Sequence, residues 1–244
     1  MIIVTGGTHG IGRACVEQLA RDGVGVVFAG RDRDAGRQLE RNVAGTTYVE
    51  CDVAVEADCR RVVDTALALG DGRVDGLVNN AGMSLRVGFS ESTAADWDRI
   101  MAVNARSAFL FTRFALPGLL AARGAVVNVS SIAGKAGEEG LALYCASKAA
   151  MIGFTQALAL EFGERVRFNA VCPGQIDTRM MSRVNADAEA RRRLELRIPA
   201  GRFGAAAEVA QAVAWLLSPA AGYVNGTVIA VDGGETAGLR TPRA

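Results

Sequence analysis

"VTGGTHGIG", residues 4–12, is the stretch on which the fold turns. The β-branched run "MIIVT" leads into it and "IGRACVEQLARDG" leads out, with Ile11, Ala14, Cys15 and Leu19 on one helical face. A strand therefore passes into a helix across Gly6, Gly10 and Gly12, residues that let a backbone turn sharply and meet a ligand without Cβ atoms. Open N–H groups and the dipole of the following helix favour an anion there, as in the binding of a dinucleotide pyrophosphate. The spacing is Gly-x-x-x-Gly-x-Gly instead of Gly-x-Gly-x-x-Gly, and glycine-rich turns also serve plain loops, so the remainder of the chain has to arbitrate.

Outward from this turn, six further runs read as strands: "GVGVVFA", "TTYVE", "VDGLVNN", "GAVVNVS", "RVRFNAV" and "GTVIAVD". Helical segments separate them. Alternation of this kind predicts a doubly wound α/β fold of Rossmann type, with a seven-stranded parallel sheet and helices on both faces. A length of 244 residues, half of them hydrophobic, fits a single domain over residues 1–244. The irregular stretch 179–204, rich in Arg and Met, is the expected substrate loop, and residues 235–244 form a C-terminal tail.

Charge excludes some classes of function. The net charge is +1 and the arginines are scattered apart from Arg191–Arg193, which gives no basic stripe for nucleic acid or an anionic membrane. Cys15, Cys51, Cys59, Cys145 and Cys172 form no Cys-x-x-Cys pair and no metal spacing with the lone His9, so free thiols and no metal are expected. No apolar run reaches the ~18 residues of a membrane span, and the first strand begins at Met1. A soluble, cytoplasmic protein is the expectation.

Four polar stretches follow the strands: "CDV" with Asp52 and Val53, "NNAG" over residues 79–82, "VNVSS" ending in Ser130 and Ser131, and "CPGQIDT" over residues 172–178. Open α/β sheets bind ligands outside the carboxyl ends of their strands, so these clusters share one edge. "LALYCASKAA", residues 141–150, adds Tyr144 and Lys148 at i, i+4, on one helical face. Lys148 is one of two lysines in a chain that otherwise uses arginine. With Ser131 thirteen residues before Tyr144 and "VDGG" near the end, the chain from Met1 to about Gly234 resembles a classical short-chain dehydrogenase/reductase.

That resemblance implies a catalytic group of Asn104, Ser131, Tyr144 and Lys148. Ser131 would hydrogen-bond a substrate carbonyl or alcohol and Tyr144 would exchange its proton. Lys148 would hold the nicotinamide ribose, and the Asn104 backbone a water. An ordinary phenol has a pKa near 10, and a neighbouring ammonium favours its ionised form. The resemblance also places Gly6, Thr8, His9, Gly10, Ile11, Gly12, Gly30, Arg31, Asp52, Val53, Asn80, Ala81, Gly82, Pro173, Gly174, Ile176 and Thr178 at the cofactor, beside Tyr144 and Lys148.

NAD enzymes keep an acid at the end of the second strand to grip the ribose, where this chain has Gly30 followed by Arg31 and Arg33. An arginine fork matches a 2′-phosphate, so NADP(H) is preferred over NAD(H). A register shift of one or two residues instead brings Asp32 into the NAD role. Substrate contacts are implied for Met83, Ser84, Ser131, Glu138, Glu139, Leu141, Gln175, Met180 and Met181. Glu138 and Glu139 either orient a polar, polyhydroxylated or cationic substrate or are solvated loop carboxylates. A homotetramer or homodimer is implied. The expected activity is hydride transfer between NADP(H) and a small carbonyl or secondary alcohol. The alternatives are a 3-oxoacyl-[acyl-carrier-protein] reductase and a non-catalytic nucleotide-binding regulator.

Overall fold

A computed structural model describes residues 1–238, apart from the side chains of Arg183 and Asn185. The tail predicted over 235–244 therefore lies mostly outside the described residues. In chain order the first half runs β1 (Ile2–Thr5), α1 (Gly10–Arg21), β2 (Val26–Gly30), α2 (Arg33–Asn42), β3 (Thr46–Glu50), α3 (Glu56–Leu69), β4 (Gly76–Asn79), α4 (Ala94–Met101) and α5 (Ser107–Ala122). The second half runs β5 (Ala125–Val129), α6 (Ala142–Phe162), β6 (Arg167–Pro173), β7 (Ile176–Asp177), α7 (Ser182–Asn185), α8 (Ala188–Arg197), β8 (Gly204–Ala205), α9 (Ala206–Leu217) and β9 (Val228–Val231).

Seven strands form one parallel sheet in the order β3-β2-β1-β4-β5-β6-β9. Both faces are covered, which is why β1, β2 and β5 are mostly apolar and are buried along their whole length. One layer packs Phe111, Leu119 and Phe168 between the sheet and α3, α5 and α6. The other packs Val16, Leu19, Val213 and Leu216 from α1 and α9. On α1 the buried face is Gly12, Cys15, Val16 and Leu19, with the expected Ile11 and Ala14 at its margin. The order of the strands reverses between β1 and β4, and the loops after these two strands open the crevice there.

The stretch 179–204 is less irregular than its sequence suggests. A 3₁₀ turn over Arg179–Met181, α7 and α8 occupy it, and Asp187 caps α8 by accepting from the Glu189 and Ala190 amides. The two-residue pairing of β7 with β8 fastens the ends of this excursion together. The Asp cap before "AEARRRLELR" was the local signal for the helix, hidden because that helix buries no residue of its own and carries no apolar stripe.

A buried polar chain crosses the sheet beneath the crevice. Asn79 Nδ2 donates to Asn128 Oδ1 at 2.8 Å and Thr112 Oγ1 at 3.1 Å, and Asn128 Nδ2 donates to Thr155 Oγ1 at 2.8 Å. It ties β4 and β5 to α5 and α6 at the level where the site begins. Replacing Asn128 with Ala strands these partners without water, and urea unfolding should report a loss of about 2 kcal/mol. An unchanged midpoint would show that the chain contributes nothing to stability.

Candidate active site

The glycine turn is closed by contacts that only bare backbone permits. Gly6 and Gly10 take positive φ, at 65° and 53°. A Cβ on Gly12 would stand 2.1 Å from the Gly6 carbonyl oxygen and 2.4 Å from Asn80 Nδ2. Asn80 Nδ2 donates to the Thr5 and Gly6 carbonyls, while Thr5 Oγ1 accepts from the Asn80 and Ala81 amides. These bonds lock the loops after β1 and β4 into one cradle. His9 begins α1 without a side-chain cap, which leaves the amides of the first turn open to an anion. Gly10 faces Thr178 from the turn after β7, so Gly10, Asn80–Gly82 and Thr178 border the same space.

At the end of β2 the structure adds a steric reason for glycine. A Cβ on Gly30 would meet the Thr8 side chain at 2.7 Å, and the Gly30 carbonyl accepts from Tyr48 Oη. An acidic residue does not fit here. Asp32 is occupied elsewhere: it caps α2 through the Ala35 amide and lies 2.8 Å from His9 Nε2, with Arg179 Nη1 at 3.4 Å from the same nitrogen. The Ala35 amide, and after it His9, holds the Asp32 carboxyl below its usual range. Arg31 and Arg33 are exposed. Asp52 accepts from the Ala54 amide, Val53 and Ile176 are buried, and the Gly174 amide is bonded to the Val231 carbonyl.

Ser130 and Ser131 point to different tasks. Ser130 Oγ donates to the Lys148 carbonyl from a buried position, whereas Ser131 caps the 3₁₀ turn Ile132–Gly134 and contacts the Tyr144 phenol. Burial pushes that phenol up to about 12, the Ser131 hydrogen bond lowers it, and the Glu138 charge raises it. Lys148 is 4% exposed and donates from Nζ to the Val129 carbonyl at 2.8 Å, standing 5.8 Å from the Tyr144 ring centroid. Burial outweighs any lowering of the phenol by this ammonium. Burial also pulls Lys148 down to about 8.

Asn104 sits in a π-helical turn, Ala102–Arg106, between α4 and α5. Its side chain is saturated: Oδ1 accepts from the Met83 amide, and Nδ2 donates to the Met83 carbonyl and Ser147 Oγ. It pins the loop after β4 against α6. A Cβ on Gly82 would stand 3.3 Å from Lys148 Nζ and 3.5 Å from Asn104 Oδ1.

The predicted substrate residues separate into several surroundings. Glu138 is half-buried and paired with Arg86, while Glu139 is exposed. Leu141 is buried at the start of α6, Met83 is held by Asn104, and Ser84 is exposed. Gln175 Nε2 reaches Glu235 Oε1 at 3.4 Å. Met180 is exposed and Met181 half-buried in the turn before α7. Arg86, Arg197 and Glu235 also face this region, and no motif in the sequence marks them. Among the described residues, no helix is long and apolar enough to cross a membrane, and no group of three or more His, Cys, Asp or Glu is placed to hold a metal.

The glycine turn, Ser131, Tyr144 and Lys148 thus lie at one edge of a doubly wound α/β sheet. Comparison with known proteins agrees. The protein-family model described as "Enoyl-(Acyl carrier protein) reductase" matches residues 6–236. The chain is 37% identical to 2-(S)-hydroxypropyl-CoM dehydrogenase 3 of Xanthobacter autotrophicus, over 97% of this chain and 96% of that one. It is 34% identical to meso-2,3-butanediol dehydrogenase of Serratia marcescens, over 100% and 97%. A crystal structure from Brucella melitensis, described as a short-chain dehydrogenase/reductase of the glucose/ribitol dehydrogenase kind, superposes with a TM-score of 0.91 at 31% identity, covering 96% of this chain and 95% of that one. The chain belongs to the short-chain dehydrogenase/reductase family.

Gly82→Ala tests the crowding around the ammonium. The added methyl should displace Nζ from the Val129 carbonyl and lower kcat/KM about tenfold in a nicotinamide absorbance assay, with circular dichroism unchanged. Full activity would mean that the position of Nζ is not critical.

Proposed function

We propose that the protein transfers a hydride between NADP(H) and a small carbonyl or secondary alcohol. The observation that carries this reading is the convergence of Ser131, Tyr144 and Lys148 on the crevice bordered by the glycine turn. A nicotinamide nucleotide, when bound, supplies or accepts the hydride. The residues of the cradle fit such a group: open first-turn amides of α1 for its phosphates, and Lys148 for its ribose. Ser131 holds the substrate oxygen, and Tyr144 gives that oxygen a proton in reduction or takes one in oxidation. Asn104 acts through its position in the π turn, where its side chain fixes the Met83 backbone and its own backbone remains for a water. The subunit assembles as a homotetramer or homodimer, a reading supported by Phe109 on α5 and Leu160 on α6, which are 49% and 89% exposed.

NADP(H) is the preferred nucleotide because Thr8 keeps an acid out of position 30, Asp32 is engaged by His9 and the α2 cap, and Arg31 is free to meet a 2′-phosphate. Reduction of a carrier-bound 3-oxoacyl group is the second reading, favoured by the 37% identity of the chain to a 3-oxoacyl-[acyl-carrier-protein] reductase of Aquifex aeolicus over 95% of each chain.

Arg31→Ala should weaken NADPH binding by about 1–3 kcal/mol and leave NADH nearly unaffected, measured by titration of both nucleotides. Equal losses would remove Arg31 from the phosphate site. Lys148→Arg should fold yet lose at least about tenfold in kcat/KM, or ~1.4 kcal/mol, because a planar guanidinium does not fit between Gly82 and the Val129 carbonyl. Tyr144→Phe should lose more, having no proton to exchange. Turnover across ketones, alcohols, polyols and a carrier-bound 3-oxoacyl group, followed at 340 nm, tests the proposal as a whole. A Tyr144→Phe variant as active as the parent would overturn it.

A further inference from the structure

A guanidinium that no motif in the sequence marks reaches the glycine turn from the far side of the crevice. Gly10 packs against Thr178, where an added Cβ would stand 3.3 Å from Cγ2, so the turn after β7 lies against the start of α1. Arg179 is the next residue and opens the 3₁₀ turn Arg179–Met181. Its side chain crosses to His9, with Nη1 3.4 Å from His9 Nε2. The guanidinium thereby spans from the segment 179–204 to the first turn of α1, whose amides carry no side-chain cap.

This contact leaves the guanidinium unsatisfied. His9 Nε2 lies 2.8 Å from Asp32 Oδ2, and the Ala35 amide and His9 hold the Asp32 carboxyl below its usual range, as an ionised acceptor. The hydrogen of that bond therefore belongs to Nε2, which has no lone pair left to offer Arg179. Asp32 Oδ1 accepts from the Ala35 amide at the start of α2. Among the described residues no carboxylate stands within ion-pair distance of Arg179, whereas later arginines of the same segment are paired, Arg191 with Glu195, Arg193 with Glu189 and Arg197 with Glu235. On the β2 side Arg31 and Arg33 are exposed, and Arg33 stands in the first turn of α2, where the helix dipole disfavours a cation. Cations thus approach this point from both sides while the carboxylate between them is engaged, an arrangement that suits an anion.

We propose that Arg179 is a phosphate-binding residue of the crevice, which leaves His9 and donates to a phosphate group of the bound dinucleotide, the 2′-phosphate or the diphosphate bridge. The inference rests on the nucleotide-binding reading above and adds to it a cation from the segment 179–204, separate from the glycine turn and from Arg31. A guanidinium fork matches two phosphate oxygens, and each of the bonds is charge-assisted. The His9–Asp32 bond keeps the carboxylate from capturing Arg179 itself.

Calorimetric titration of NADPH and of NADH into the full chain, Arg179→Ala and Arg179→Lys tests the role. Arg179 is exposed, so both variants should keep the circular dichroism spectrum of the parent. Arg179→Ala should bind NADPH at least about tenfold more weakly, and Arg179→Lys, which keeps the charge, should recover part of the loss. A loss with NADPH alone assigns Arg179 to the 2′-phosphate, and a loss that extends to NADH assigns it to the diphosphate. Unchanged NADPH affinity in Arg179→Ala overturns the inference while leaving nucleotide binding and hydride transfer standing. A lysine variant as weak as the alanine variant overturns it too, because positive charge would then not be what binds. If the parent binds NADH alone, the NADP(H) preference fails and the NADH titration decides Arg179 by the same criterion. A parent that binds neither nucleotide defeats the nucleotide reading itself, and the role of Arg179 with it.

Discussion

A buried ammonium organises the site. Lys148 reaches from the second turn of α6 to the last carbonyl of β5, and among the described residues no carboxylate pairs with it. Its charge is met by the Val129 carbonyl and the edge of the Met151 sulfur. Neighbouring positions are shaped around it: Gly82 stays bare in front of it, Ser130 bonds its carbonyl, and a Cβ on Gly134 would lie 2.8 Å from its carbonyl carbon. The placement of Tyr144, one turn earlier on the same helix, follows from this anchoring.

Such a group is costly to fold around, since an ionised side chain without a counter-charge loses its hydration on burial. The fold tolerates it because hydrogen bonds tie the surrounding frame together, although Asn79 Oδ1 is buried without a partner among the described residues. The asparagine chain beneath it and the saturated Asn104 side chain hold β4, β5, α5 and α6 in register. The consequence is an ammonium held in place by the Val129 carbonyl at the carboxyl end of β5. The phenol is raised by burial and stays protonated near neutral pH.

Much of this was legible in the sequence because it depends on local chemistry. Glycines at 6, 10 and 12, strands buried on both faces, and the i, i+4 spacing of Tyr144 and Lys148 each specify their own geometry. The separation of Ser131 from Ser130 agreed with the thirteen-residue spacing to Tyr144. What escaped was set by loops meeting in space. Arg86 and Glu138 are 52 residues apart in the chain and are joined by a salt bridge between two loops. Glu235 and Arg197 are joined in the same way, beneath a helix that carries no apolar stripe. The exclusion of an acid from position 30 rests on Thr8, from a different strand end, and so was seen in the sequence as a missing charge and not as a steric contact. Proximity on a helical face also gave no sign that burial would set the direction of the Tyr144 phenol.

The central claim is that the site contains an unpaired buried cation, and the pH dependence of stability tests it most directly. Burial lowers the Lys148 pKa from 10.5 to about 8. Between these values the unfolded chain binds more protons than the folded one, so the destabilisation from this group is complete below about 8 and is relieved as the pH rises towards 10.5. Urea unfolding of the wild type and of Lys148→Met, each measured from pH 7 to 10.5, isolates the contribution. The methionine variant should be the more stable of the two at pH 7, and its advantage should shrink as the pH rises through this window. A difference that stays flat with pH, or grows, would contradict the buried ammonium on which the site is built.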